Sequence, residues 1–165
     1  MFDIIPAEFP QDLDCVQALF RDYAASLDIS LAFQDFDSEL LGLPGDYVPP
    51  AGRLLLAWQA SEAVGCVALR PLEGEMCEMK RLYVSPRARA GGLGRLLAGR
   101  ICSEARSAGY RRMRLDTLPS MSAARRVYAS LGFRPIPPYC YNPVPDAVFL
   151  ELDLSERVEP GPAPK

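Results

Sequence analysis

The sequence predicts a mixed α/β domain, and three observations carry that prediction. Apolar residues recur at helical steps in the first third of the chain. Strand-like runs separated by short turns fill the middle. The last third alternates strand, turn, helix, strand, helix and strand. With 165 residues the chain suits one domain whose core needs no covalent staples. Hydrophobic residues at 49% and charged residues at 24% are an ordinary globular balance. No internal repeat interrupts it.

Phe2-Asp3-Ile4-Ile5 reads as a short edge strand that Pro6 ends. Asp12 to Leu27 reads as an amphipathic helix, with Leu13, Val16, Leu19, Phe20, Tyr23 and Leu27 on one face and Asp12 as N-cap. A second short helix is expected at Asp37–Leu41, followed by an irregular loop, GLPGDYVPPAG. Phe33, Phe36 and Tyr47 could pack on the core or line a pocket. Strands Arg53–Trp58 and Val64–Leu69 form an antiparallel hairpin around Ala60–Ala63. A third strand is expected at Met76–Val84, after a turn at Glu73–Gly74. SPRARAGGLG leads into a helix from Leu93 to Ala108, with Gly109 as its C-terminal cap. Residues 113–118 form a strand, Ser120–Leu131 a helix ended by Gly132, and Arg134–Ile136 and Val148–Leu154 the closing strands. We read residues 1–155 as the domain and the polar, Pro-rich residues 156–165 as a disordered tail.

Composition narrows the function classes. A net charge of −3 gives no general attraction to nucleic acid or to an anionic membrane, so neither is an expected partner. The absence of histidine removes Ser-His-Asp and Cys-His catalysis and His-ligated metal sites. The five cysteines are odd in number, widely spaced and form no CxxC, which fits reduced thiols and disfavours a zinc site. No metal is expected. MFDIIPAEFP lacks a basic start and a long apolar run, and no segment offers the roughly 18 apolar residues that cross a bilayer. We therefore expect a cytoplasmic protein.

The chemistry is concentrated in Arg81–Leu97, where a strand enters an Arg/Gly-rich turn and a helix leaves it. The first N–H groups of a helix have no intrahelical partner and carry the positive end of its dipole. Gly91, Gly92 and Gly94 lack Cβ atoms that would keep an anion away, and Arg87, Arg89 and Arg95 add charge. This makes a cradle for a pyrophosphate in an otherwise acidic protein. It is not a P-loop, because no Lys follows. It is not the dinucleotide fingerprint either, because the third glycine position is Leu97.

Arg89-Ala90-Gly91-Gly92-Leu93-Gly94 resembles the [RQ]xxGx[GA] acyl-CoA motif of the GCN5-related N-acetyltransferases (GNAT). Further on, Ala124, Tyr128 and Leu131-Gly132-Phe133 resemble that family's second motif, a helix ending in LGF. The clear resemblance covers residues 64–133. It implies a central, mostly antiparallel, twisted sheet flanked by helices, with two central strands splayed at the acyl-CoA site. It implies acetyl-CoA as co-substrate and an amine acceptor, and it is compatible with a homodimer. Carried over by position, backbone groups of Leu82, Tyr83 and Val84 would meet the pantetheine arm. Arg89 and the turn from Ala90 through Gly91, Gly92, Leu93 and Gly94 to Arg95 would bind the pyrophosphate. Tyr128 would be the general acid toward the leaving thiolate. One departure is Met121, seven residues before the tyrosine, where the family often has Asn.

An attacking amine must lose a proton, and two carboxylates are candidates. Glu78 lies on the strand leading into the turn, and Asp116 on the neighbouring strand. Each reads equally well as a structural carboxylate paired with Lys80, Arg81 or Arg114, and a water relay or a neutral amine would need neither. Direct transfer in a ternary complex is expected over a cysteine acyl-enzyme, since nothing obvious activates Cys77. Residues 28–52 and 137–143 are expected to wall the acceptor side, where Tyr139 and Tyr141 could touch substrate or close the core. A non-catalytic acyl-CoA-binding module and a protein-interaction surface are the rival classes.

Overall fold

A computed structural model describes residues 1–27 and 29–155; the expected tail lies outside them. Seven strands make one sheet in the order β1-β2-β3-β4-β5-β7-β6. Their ranges are β1 Asp3–Pro6, β2 Arg53–Gln59, β3 Glu62–Pro71, β4 Met76–Val84, β5 Arg112–Thr117, β6 Arg134–Pro135 and β7 Val148–Asp153. The helices are α1 Leu13–Ser26, α2 Phe36–Leu41, α3 Leu93–Ser107 and α4 Ser122–Leu131. No helix among the described residues is long and apolar enough to cross a membrane.

Both faces of the sheet are covered, which explains the unbroken apolar runs of β2 and β3. Alternate residues serve different cores. Leu55, Ala57, Val67 and Leu69 face α3 and α4, with Leu93, Leu97 and Ile101 packed on them. Leu54, Leu56, Cys66 and Ala68 face α1 and α2, against Val16, Phe20, Phe36 and Leu40. Phe36 and Tyr47 are therefore core residues.

Neighbouring strands are antiparallel except β4 and β5, which run parallel and register only over Met76–Glu78 against Arg112–Arg114. Beyond that point the two strands diverge. The cause is visible in β4. Three steps from Lys80 to Tyr83 oppose two from Ala68 to Cys66, so β4 carries an extra residue. Arg81 takes it up with φ +61°. Such a bulge bends its strand and breaks the ladder locally. It also changes the facing of side chains. Cys77 and Met79 point toward α3, as do Leu82 and Val84 after the bulge.

The differences from expectation are local. Asp12 precedes α1, yet its carboxylate accepts from the Glu8 N–H (2.8 Å) and not from the helix. The hairpin turn is only Ala60-Ser61, with Ala60 at φ +55°. α4 begins at Ser122, because Leu118–Met121 close a turn through Met121 N–H to Leu118 C=O (3.0 Å). The loop after α2 contains a 3₁₀ turn, Gly45–Tyr47.

Candidate active site

The turn after β4 is a 3₁₀ segment, Pro86–Gly91, that ends at Gly92 with φ +72° before α3 starts. The bond from Leu96 N–H to Gly92 C=O (3.2 Å) begins the helical ladder. The N–H groups of Leu93, Gly94 and Arg95 stand ahead of it, at positions a helix leaves without intrahelical partners. The three glycines do different things. A Cβ on Gly92 would meet nothing within 4 Å, and on Gly94 only Val84 Cγ2 at 3.9 Å. Space for an anion is therefore open at both. A Cβ on Gly91 would strike the Phe2 ring at 2.8 Å, so Gly91 serves packing against the N-terminal segment.

The arginines divide likewise. Arg87 pairs with Glu62 at 3.1 Å on the surface. Arg89 donates through Nε to Val84 C=O (3.1 Å) and lies over the Tyr83 ring, which takes up one backbone group of the strand end. Arg95 is exposed on the first turn of α3. Ala90 is exposed beside it. Past Glu78, the β4 edge that includes Leu82, Tyr83 and Val84 has no strand partner on the β5 side among the described residues.

The divergence of β4 and β5 opens a cleft, lined on one side by Lys80, Arg81 and Leu82 and on the other by Asp116, Thr117 and Tyr128. Tyr128 comes from α4. Gly132, at φ +100°, turns the chain so that Phe133 N–H returns to Tyr128 C=O (3.1 Å), and the two rings meet edge to face at 5.7 Å. That is the physical content of the LGF motif: a left-handed cap clamps the tyrosine in place. Burial pushes the Tyr128 phenol well above its usual range, and Tyr23 and Asp116 push the same way. Its proton is held at any ordinary pH. Met121 also lines the cleft, and Thr117 Oγ1 donates to its sulfur at 3.6 Å.

Glu78 and Asp116 come close: their carboxylates and the Cys140 sulfur lie within 4.8 Å of one another. Such a set has the donor types of a cation site, but three of its four carboxylate oxygens already accept hydrogen bonds. Glu78 is buried, with Oε1 accepting from Arg70 Nε (2.8 Å) and Oε2 from Tyr139 O–H (2.6 Å). Asp116 lines the cleft and accepts from Asn142 Nδ2 (3.0 Å). Of the expected cationic partners only Lys80 lies against Glu78, at 3.9 Å. Arg81 pairs with Glu39 and Arg114 with Glu151, leaving Arg70 and Lys80 to Glu78. Arg70, Tyr139 and Asn142 as partners were missed from the sequence. No short-range pattern marks contacts between such distant segments. Tyr139 packs on Phe149, whereas Tyr141 is exposed and meets Phe33 edge to face. Leu31, Phe33 and Gln34 line the cleft with Asn142, so both expected walls contribute to it. Burial raises the Cys77 thiol to about 12, which suits a packed, inert side chain. All five cysteines are free.

An open-edged strand, a glycine turn with free space and a tyrosine-bearing cleft in a mixed α/β fold are the features that the resemblance to the acyltransferases implies. The acetyltransferase (GNAT) family model matches residues 14–133, and the chain belongs to that family. An uncharacterised N-acetyltransferase of Schizosaccharomyces pombe is 41% identical over 155 residues, covering 93% of this chain and 95% of the relative. An IAA acetyltransferase of Azospirillum brasilense is 37% identical over 107 residues, covering 64% and 70%. Among solved structures, a putative acetyltransferase of Salmonella typhimurium with its cofactor acetyl-CoA superposes with a TM-score of 0.74, at 21% identity and over 98% of this chain and 99% of that one.

Proposed function

We propose that this protein moves an acetyl group from acetyl-CoA to a primary amine by direct attack in a ternary complex. The observation that carries the reading is that Tyr128 and Asp116 share one wall of the cleft opened between β4 and β5. The space outside Gly92 and Gly94 fits a pyrophosphate against the first N–H groups of α3. The unpaired β4 edge from Leu82 to Val84 fits an extended amide-bearing arm. Acetyl-CoA, when bound, supplies an activated thioester and a thiolate leaving group.

The residues divide the proton work. Asp116 accepts a proton from the amine nitrogen as it attacks, directly or through a water. Tyr128 O–H gives its proton to the departing sulfur and is then re-protonated from the cleft. Its raised pKa keeps the O–H in place as a donor but makes it a weak acid, so the proton moves only as negative charge develops on the sulfur. Glu78 is the weaker candidate base, since both its oxygens are engaged.

Calorimetric titration with acetyl-CoA tests the cradle, using Gly94→Glu as control. Gly94 is preferred to Gly92 because a side chain at φ +72° would strain the backbone by itself. Wild-type binding that is lost in the variant supports the reading. Tyr128→Phe should then bind acetyl-CoA normally and lose about 10²-fold or more in kcat across an amine panel. Equal binding by wild type and Gly94→Glu would remove the cradle assignment.

A further inference from the structure

We infer that the acceptor carries a carboxylate as well as its amine, an α-amino acid in its chemistry, with Lys80 receiving the carboxylate and Asp116 the amine. The inference rests on the acetyltransferase reading above and names the substrate class of that same cleft.

The charge pairing on the α1/α2 side of β4 leads to it. Arg70, Lys80 and Arg81 stand there with Glu78 and Glu39, and Asp116 lies close by, its carboxylate within 4.8 Å of that of Glu78. Arg81 is satisfied: Glu39 accepts from Nε (2.9 Å) and Nη2 (3.2 Å), and Gln34 Oε1 accepts from Nη1 (2.9 Å). Arg70 and Tyr139 hold both oxygens of Glu78. What is left for Lys80 is one hydrogen bond to the neutral Gln34 Oε1 (3.1 Å) and an approach of 3.9 Å to Glu78 Oε1, too long for a hydrogen bond. An ammonium has three donors. This one is only 7% exposed and lines the cleft.

Burying a charge with so little compensation is costly, and burial indeed lowers the Lys80 pKa, with Glu78 opposing. An anion entering the cleft would supply the missing partner. Asp116 on the facing wall gives the cleft its opposite pole. Leu31, Phe33 and Leu118, also on the lining, offer apolar surface for a side chain between the poles. A molecule with an ammonium, a carboxylate and a small apolar group matches all three features. A plain amine would leave Lys80 as it is.

The experiment compares matched acceptors with acetyl-CoA as donor: L-leucine, its methyl ester and 3-methylbutylamine, then L-phenylalanine, its methyl ester and 2-phenylethylamine. Rates are referred to the unprotonated amine, because the three members of each set ionise differently. The wild type should favour the free acid in kcat/KM by about tenfold or more, the scale of one charge-assisted hydrogen bond. Lys80→Met should erase most of that preference by raising KM for the acid, and Lys80→Arg should retain it. Equal or better use of the ester or plain amine by the wild type overturns the inference, as does a preference that Lys80→Met leaves unchanged. If the protein binds acetyl-CoA but acetylates no member of either set or of a broad amine panel, the acetyltransferase reading itself fails and this inference with it.

Discussion

Glu78 and Asp116 differ less in position than in what surrounds them. Arg70 and Tyr139 saturate the buried Glu78, whereas Asp116 lies on the cleft wall and accepts from Asn142 and, at 4.0 Å, from the Cys140 thiol. Their substitutions should separate. Asp116→Asn should lower kcat by about 10²-fold or more with acetyl-CoA affinity kept. Glu78→Gln should act mainly on stability, by about 2 kcal/mol in urea unfolding, because it leaves Lys80 and a partly exposed Arg70 without their carboxylate. A larger kcat loss in Glu78→Gln than in Asp116→Asn would reverse the assignment. Cys140 gives an independent reading of the same corner. Burial and then Asp116 raise its thiol to about 11. Removing the Asp116 charge should lower that value and speed iodoacetamide modification of Cys140 at pH 8, followed by peptide mass spectrometry. An unchanged rate would mean that Asp116 does not act on the thiol. From the sequence Glu78 comes first and Asp116 second as candidate base, and each lies near lysine or arginine along the chain. Their real partners lie on β3 and on the loop before β7.

At the scale of elements, the bulge in β4 does two things at once. It lets β4 diverge from β5, and it turns Lys80 and Arg81 to the same side of the sheet. Arg81 is locked there by Glu39 of α2 and lies over the Phe36 and Tyr23 rings at 5.0 and 5.7 Å. α2 thereby pins the bulge. Glu39→Gln should cost about 3 kcal/mol in denaturant unfolding, since a nearly inaccessible guanidinium loses its counter-charge. The double variant Glu39→Leu/Arg81→Met should be less destabilised than the single one, and a loss in the double variant as large as or larger than in the single one would show that the ion pair contributes more than its apolar replacement. The elements themselves were legible: β4 matches its predicted limits, and α1 and α3 end within a residue of theirs. Periodicity and capping glycines fix such segments because those signals are local. The start of α4 was missed by two residues because the Leu118–Met121 turn competes with helix there. The bulge was not legible at all. Only pairing with β3 reveals that β4 has one residue too many.

For the whole molecule, the cleft lies where the two cores meet. Tyr128 and Leu82 belong to the α3/α4 core, while Leu31 and Tyr23 belong to the α1/α2 core, and all four line it. A ligand seated between the splayed strands therefore touches elements from both layers, and its binding energy should appear as stability of the entire fold and not of one lobe. Linkage sets the size: at about 100 times Kd, acetyl-CoA should add about 2.7 kcal/mol. For a chain of this length that corresponds to a rise in Tm of about 5–11 °C in a single transition. Gly94→Glu should start from a similar Tm, because its added Cβ meets only Val84 at 3.9 Å, and should show no rise. Two transitions, with only one moved by acetyl-CoA, would instead place the ligand on a single layer and contradict a site built across the splay. An equal rise in both proteins would put the ligand away from the glycine turn altogether.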